Sequence, residues 1–341
     1  MANLLKGKSK ILFLCLFILL TCTACSSPRA TDGKTKLDMI IASEEVTVRK
    51  DQVNISEIED KELKKEYKDY KDDEEITIKP MTFGEAFNEG WFSGLIVWPL
   101  AQIINHIAAF TDAGWGIILT TVIIQGAVFL LTRKSQMSAQ RMQEIQPEMQ
   151  RIQDKYKGKT DDRSRMMLAQ ETQRLYQKYD IHPFGSILVT FIQLPIMMGV
   201  YYAMVRASSV VYGTFMGIDL TQTPLFGFQH LQWAYIIIYI LMVISSIASM
   251  KMPQWLKKRQ DKLDHVKTKD YLKNGKDPMS SMNMTMYFST GFVALLYISW
   301  PIAMSFYWLV SSLTRVCFNF FMHAMIVKEA KEKKSKKDII K

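Results

Sequence analysis

The sequence predicts an all-α membrane protein, a five-transmembrane-helix bundle with a cytoplasmic helical hairpin and an external interfacial amphipathic helix. Mean hydropathy is close to zero, but that average combines long apolar runs with long charged runs in a chain that is 48% hydrophobic and 22% charged. Five of the apolar runs approach the roughly 20 residues needed to cross a hydrocarbon core of about 30 Å. Lysine and arginine are crowded into alternate connections between them, which sets an orientation.

Residues 1–24 read as a lipoprotein signal peptide. Lys6, Lys8 and Lys10 precede the apolar stretch Ile11 to Leu20, and Thr21-Cys22-Thr23-Ala24-Cys25 places small residues before a cysteine. Cys25 is the expected lipidation site, carrying a diacylglycerol and a palmitate; Cys22 and an uncleaved signal anchor are the alternatives. Cleavage removes three lysines and no acids, lowering the formal charge from +10 to +7. The remaining cysteines, Cys15 and Cys317, offer neither a disulfide framework nor zinc spacing. Residues 25–90 form an extracytoplasmic polar spacer with little tertiary structure, in which Ser56 to Lys71 could make an exposed helix with pairs such as Asp60 and Lys64.

In residues 91–134 an interfacial helix precedes the first span. Trp91, Leu95, Ile96, Trp98, Ile103 and Ile107 are interrupted by Gln102, Asn105 and His106, the pattern of a helix lying in the outer interface. Trp115 to Leu131 crosses, ending at Arg133 and Lys134. Residues 135–182 form the hairpin. Met142, Ile145, Met149, Ile152 and Tyr156 repeat at helical spacing, and the stretch from Gly158 to Asp162 supplies a break with capping residues.

Residues 183–327 hold the second to fifth spans: Phe184 to Arg206, Trp233 to Met252, Asn283 to Trp300 and Ile302 to Val327, with a basic loop at 253–282. Residues 328–341 are a basic tail. Ser208 to Gln232 has no Lys or Arg, whereas the hairpin, the 253–282 loop and the tail are rich in both. The amino terminus is therefore outside and the carboxyl terminus cytoplasmic, in a multi-pass, lipid-anchored protein of a bacterial cell membrane.

No phosphate-binding glycine loop, HExxH, nucleophile elbow or kinase set occurs, and the five histidines are scattered. The chain is expected to be neither an enzyme nor an ATP-driven pump, and to need no cofactor or metal. Its chemistry lies in polar side chains at mid-depth: Gln125 in the first span, Thr190 and Gln193 in the second, and Trp308, Ser311, Ser312, Arg315 and Asn319 in the fifth. The last five share one helix face. An arginine at that depth costs at least about 2.5 to 3.5 kcal/mol on insertion scales. No Asp or Glu lies within any span, so water is its expected solvent and a hydrated cavity follows. Interhelical hydrogen bonding is the plainer alternative for the serines and threonine, and a satisfied kink is the alternative for Gln193 and Pro195.

The residues now resemble the YidC family of membrane protein insertases, in its lipoprotein form typical of Gram-positive bacteria. Ile145 to Gln150 in the hairpin, His182-Pro183-Phe184-Gly185 leading into Gln193 to Ile196, the approach from Phe226 to Trp233, and Trp300-Pro301 followed by Tyr307-Trp308 carry the likeness, in family order. The resemblance implies a groove open to cytoplasm and lipid that accepts nascent membrane proteins without nucleotide hydrolysis, and puts Gln193 and Trp308 on its lining. Membrane lipids and the Sec translocon are expected partners, and the clustered lysines of the tail suit sequence-independent contact with ribosomal RNA, with topological anchoring as the alternative; DNA is not an expected partner. The family usually has an arginine where this chain has Gln125, and a small or neutral residue where it has Arg315. A relocated groove cation, or a specialised paralogue, is the expectation. A membrane-protein assembly chaperone and a small-solute channel or transporter are the alternative functions.

Overall fold

A computed structural model describes residues 28–58, 60–181, 183–263 and 278–339. Cys25 and its alternative Cys22 lie outside the described residues, as do His182 and much of the basic loop. In chain order the elements are β1 (Val46–Arg49), α1 (Lys61–Glu66), β2 (Glu75–Ile78), α2 (Phe83–Glu89), a π-helical turn (Ser93–Val97) running into α3 (Trp98–Phe110), α4 (Ala113–Glu144), α5 (Gln146–Lys155), α6 (Asp162–Lys178), α7 (Pro183–Arg206), α8 (Ser208–Val211), β3 (Thr214–Phe215), β4 (Ile218–Asp219), α9 (Pro224–Gln229), α10 (Trp233–Leu263), α11 (Pro278–Tyr297) and α12 (Ile302–Ile339). The fold is all-α apart from two small hairpins. Ser93–Phe110, Ala113–Met142, Trp233–Leu263 and Ile302–Glu329 are long and apolar enough to cross a membrane. The helices α7 and α11, expected as the second and fourth spans, run 24 and 20 residues.

Two compact units divide the chain. One comprises Met1–Thr121, Ile192–Ile236 and Trp300–Tyr307; the other comprises Val122–Phe191, Ile237–Ser299 and Trp308–Lys341.

In the first unit, the segment expected to be a spacer with little tertiary structure has a core of its own. Strands β1 and β2 pair antiparallel, Val48 opposite Ile76 and Val46 opposite Ile78. Their alternating β-branched residues send one face inward, where Leu37, Ile40, Val53, Ile55, Ile58 and Tyr67 join Val48, Ile76 and Ile78 in burial. Charge density hid these apolar residues, which lie in short runs of at most four between polar and charged ones. The helix α1 is shorter than expected because Asp60 caps it, accepting from the backbone N–H groups of Glu62 and Leu63 rather than serving as a side-chain partner.

The polar stripe of α3 also differs from the expectation of a water-facing surface. Gln102 donates to the carbonyl of Ala42 at 3.1 Å and Asn105 to that of Ile41 at 2.8 Å. The Asn105 carbonyl accepts from the backbone and hydroxyl of Ser209, so Asn105 is buried. Glycines permit close helix approach here. A Cβ on Gly116 would lie 2.8 Å from the Ile104 carbonyl, and one on Gly199 would lie 2.5 Å from the Ile96 side chain. Strands β3 and β4 close through Met216 and Gly217, both at positive φ, as a two-residue hairpin turn requires.

In the second unit, helix α4 continues past Arg133 and Lys134 to Glu144. Those two residues mark a change of solvent, and nothing from Thr132 to Glu144 breaks a helix. Helices α5 and α6 pack as a hairpin on Ile145, Met149, Leu175 and Ile181. Gly158 turns the chain at φ 80°, and Asp161 caps α6 through the Ser164 N–H, which holds its carboxyl below the usual range. Arg141, at the foot of the hairpin, bonds Glu329 on α12 and lies 3.6 Å from Asp180. Phe129 on α4 stacks on Phe318 of α12, with ring centroids 4.3 Å apart.

Candidate functional site

Helix α12 positions most of the candidates, as its helical spacing requires. Trp308, Ser311, Ser312, Arg315 and Asn319 recur at three and four residues, and α10 supplies a facing row at Ser245, Ser246 and Ser249. Within the second unit these rows meet. The Ser246 and Ser312 hydroxyls are 3.3 Å apart, and Asn319 donates to the Ser249 carbonyl at 3.0 Å. From α4, Gln125 donates to the Ser311 hydroxyl at 2.7 Å.

Ser311 and Ser312 are fully buried, and Gln125 is buried as well. Both serines make interhelical hydrogen bonds, the plainer alternative weighed for them. Such bonds between membrane helices contribute about 0.6 kcal/mol on average. The Gln125 amide is thus tied to α12.

Arg315 has different surroundings. Its guanidinium carbon lies 5.2 Å from the centroid of the Trp308 ring, and both residues border a cavity of about 110 Å³. Met242, Val243, Ser246, Ser249 and Met250 of α10 and Thr290, Val293 and Ala294 of α11 line the remainder, so that most of the wall is apolar. The hydroxyls of Ser245 and Ser246 turn back to the Met242 carbonyl, and Tyr239 donates to the Ala294 carbonyl at 2.7 Å. This leaves one cationic group over an aromatic face, beside thioethers and small hydroxyls. Cation–π attraction reaches about 2 kcal/mol or more when the pair is desolvated. Chemically, the cavity can accept an anionic or strongly polar group and an apolar one side by side.

Gln193 belongs to the first unit, two residues before Pro195 inside α7. It is half-buried, and its amide nitrogen is enclosed with no hydrogen-bond partner among the described residues. Thr190 lies on α7, and its side chain falls outside what is described. Ser246, Ser249 and Thr290 were missed by sequence reasoning. The spacing of Ser246 and Ser249 on one face of an otherwise apolar span was the available signal. Nothing in the sequence singled out Thr290.

The chain matches the family described as 60Kd inner membrane protein over residues 104–330. It belongs to that family, the YidC family. Similar proteins include the membrane protein insertase MisCA of Bacillus subtilis strain 168, 27% identical over 239 residues that make up 70% of this chain and 81% of the relative. The membrane protein insertase YidC 2 of Bacillus anthracis is 29% identical over 244 residues, 71% of this chain and 85% of its own. The membrane protein insertase YidC 1 of Streptococcus pyogenes serotype M6 is 38% identical over a shorter 135 residues, 40% of this chain and 48% of its own. Membership of the YidC family, with its apolar helices, makes this a multi-pass membrane protein. The YidC match contains Gln125, Gln193, Trp308 and Arg315 and begins beyond the β1–β2 core.

Proposed function

We propose that the chain is a membrane protein insertase whose cavity between α10, α11 and α12 receives the polar flank of a nascent membrane segment, with Arg315 as its cation. The observation that carries this reading is the Arg315 guanidinium over Trp308 at the edge of a largely apolar cavity that also carries Ser246, Ser249 and Thr290. A polar flank entering such a site exchanges bulk water for hydroxyls and a cation instead of hydrocarbon, which lowers the charge-transfer cost without nucleotide hydrolysis. Gln125, bonded to Ser311, keeps a structural place, so the groove charge sits on the fifth span rather than the first. In this reading the amino terminus is outside and lipid-anchored at Cys25, α5 and α6 lie on the cytoplasmic side, and the lysine-rich end of α12 approaches ribosomal phosphates. The Sec translocon is a further partner in the same scheme.

The test is insertion of a single-span passenger with an acidic translocated tail into vesicles holding the purified protein. A charge pair about 4 Å apart at an effective dielectric near 20 is worth about 4 kcal/mol, and about 1.4 kcal/mol is a factor of ten. Arg315→Ser is therefore expected to slow insertion by at least about tenfold and up to about a thousandfold, with a neutral-tailed passenger little affected. Adding Gln125→Arg should restore part of the rate. Normal insertion of the acidic passenger by Arg315→Ser would overturn the groove assignment.

A further inference from the structure

The folded segment at residues 28–80 precedes the YidC match, and the first unit shows what it holds. The Ile41 N–H donates to the Arg206 carbonyl at 2.7 Å, and the Ser208 N–H donates to the Ile41 carbonyl at 3.0 Å. The Thr35 hydroxyl donates to the Val205 carbonyl, and Arg29 donates to that of Thr221. These bonds grip the last turn of α7 and the loop after it by their backbones.

Arg206 completes the grip. Its Nε donates to the Met39 carbonyl at 2.6 Å, its Nη1 to the Ser93 hydroxyl at 2.8 Å, and its Nη2 lies 2.8 Å from each Glu89 oxygen. Ser93 in turn donates to Glu89 at 2.6 Å. The arginine side chain is 4% exposed. One guanidinium thus joins three segments: residues 28–80, the helical entry to α3, and the end of α7. Guanidinium geometry allows all three bonds at once, which a lysine's single ammonium cannot match.

We infer that residues 28–80 are an outer clamp on the bundle and that Arg206 is the positioning residue through which the clamp fixes the outer end of α7. The clamp holds that end of α7 closed against the entry to α3 and the loop that follows α7. This rests on the outside placement of the amino terminus given above. Ala303 reports on the closed state, because it is 1% exposed and borders a small cavity with Arg29 and Thr35 of the clamp.

The experiment uses the full chain in vesicles, with Cys317→Ala and Ala303→Cys, and a membrane-impermeant maleimide added from either side. Labelling at position 303 is read by peptide mapping. Adding Arg206→Lys or, separately, Glu89→Gln is expected to raise the labelling rate from the outer side at least about tenfold, because loss of one partner frees a local opening. Insertion should fall in both variants while the α5–α6 hairpin keeps its hydrogen-exchange protection, a combination that general unfolding would not give. Glu89→Gln, which keeps the Ser93 hydrogen bond and is the milder change, carries the test if Arg206→Lys misfolds. Unchanged labelling and insertion in a folded Glu89→Gln protein would overturn the clamp. Labelling raised only from the inner side would overturn the orientation while upholding the dependence on Arg206.

Discussion

Arg206 ends α7 with hydrogen bonds to Met39, Ser93 and Glu89, whereas Arg315 sits within α12 over the Trp308 ring, at the border of a cavity. Both are guanidiniums in largely apolar stretches of helix, Pro183–Arg206 and the first half of α12. Desolvating either one is costly, and the two sites offset that cost by opposite means. Around Arg206 a carboxylate and two neutral acceptors are built into the fold. Around Arg315 an aromatic face lies beside the guanidinium, at the border of a cavity. The two sites therefore differ in what the charge adjoins: packed backbone and side-chain acceptors in one, the wall of a cavity in the other.

Removing each arginine is the most direct attempt to break this contrast. Arg206→Met leaves Glu89 facing an apolar side chain, and stranding one partner of a buried pair is expected to destabilise the fold by about 3 to 5 kcal/mol. Denaturant unfolding in detergent micelles should report it as a lowered midpoint. Arg315→Ser removes the cation–π contact with Trp308 together with an arginine that is itself unfavourable by about 2.5 to 3.5 kcal/mol on insertion scales, so its midpoint should fall less than that of Arg206→Met. Its effect belongs to passenger insertion. Equal destabilisation by the two substitutions would erase the distinction.

A smaller effect sharpens the same point at Gln125. Its amide is bonded to the buried Ser311 hydroxyl, so Gln125→Leu should destabilise the second unit by about 0.6 to 1.7 kcal/mol, the range measured for bonds between membrane helices. Insertion of the acidic passenger should be preserved. A large loss of insertion with full stability would return Gln125 to the groove and weaken the case that the cation moved.

The apolar spans and the family were legible in the sequence because hydrophobic runs and basic loops are one-dimensional signals. The stripe of α12 was legible for the same reason, as periodicity on a single helix. What escaped required two segments to be read together. Ser246 and Ser249 gain meaning only opposite Ser312 and Asn319. Gln102 and Asn105 looked like a wet face until carbonyls 60 and 64 residues away accepted their protons. The core on Val48 and Ile76 was masked by surrounding charge, because a small β hairpin alternates every second residue and leaves no long apolar run. Arg206 itself was taken as the end of a span, a fair reading of a basic residue at a helix terminus. Only its three acceptors identify it as a joint.

The mildest perturbation tests whether the helix between the clamp and α3 is held from within. Thr82 caps α2: its hydroxyl accepts from the Glu85 N–H at 3.3 Å, and the Glu85 carboxylate accepts from the Thr82 N–H at 2.7 Å and from its hydroxyl at 2.8 Å. These bonds, led by the backbone one, hold the Glu85 carboxyl below its ordinary value of 4.5. A carboxyl depressed on folding stabilises the protein above its unfolded value and loses that contribution as pH falls through its folded value. Thr82→Ala should lower stability by about 0.5 to 2 kcal/mol at neutral pH. The difference from the parent should narrow as the pH falls through the folded value of Glu85, which lies below 4.5, because protonated Glu85 no longer accepts from the Thr82 hydroxyl as a carboxylate. Melting curves recorded in steps from about pH 7 downward through that region would measure it. A gap that stays constant with pH would mean that the hydroxyl acts only on the Glu85 N–H and adds nothing to its carboxylate, whose bond from the backbone N–H of residue 82 is kept in both proteins.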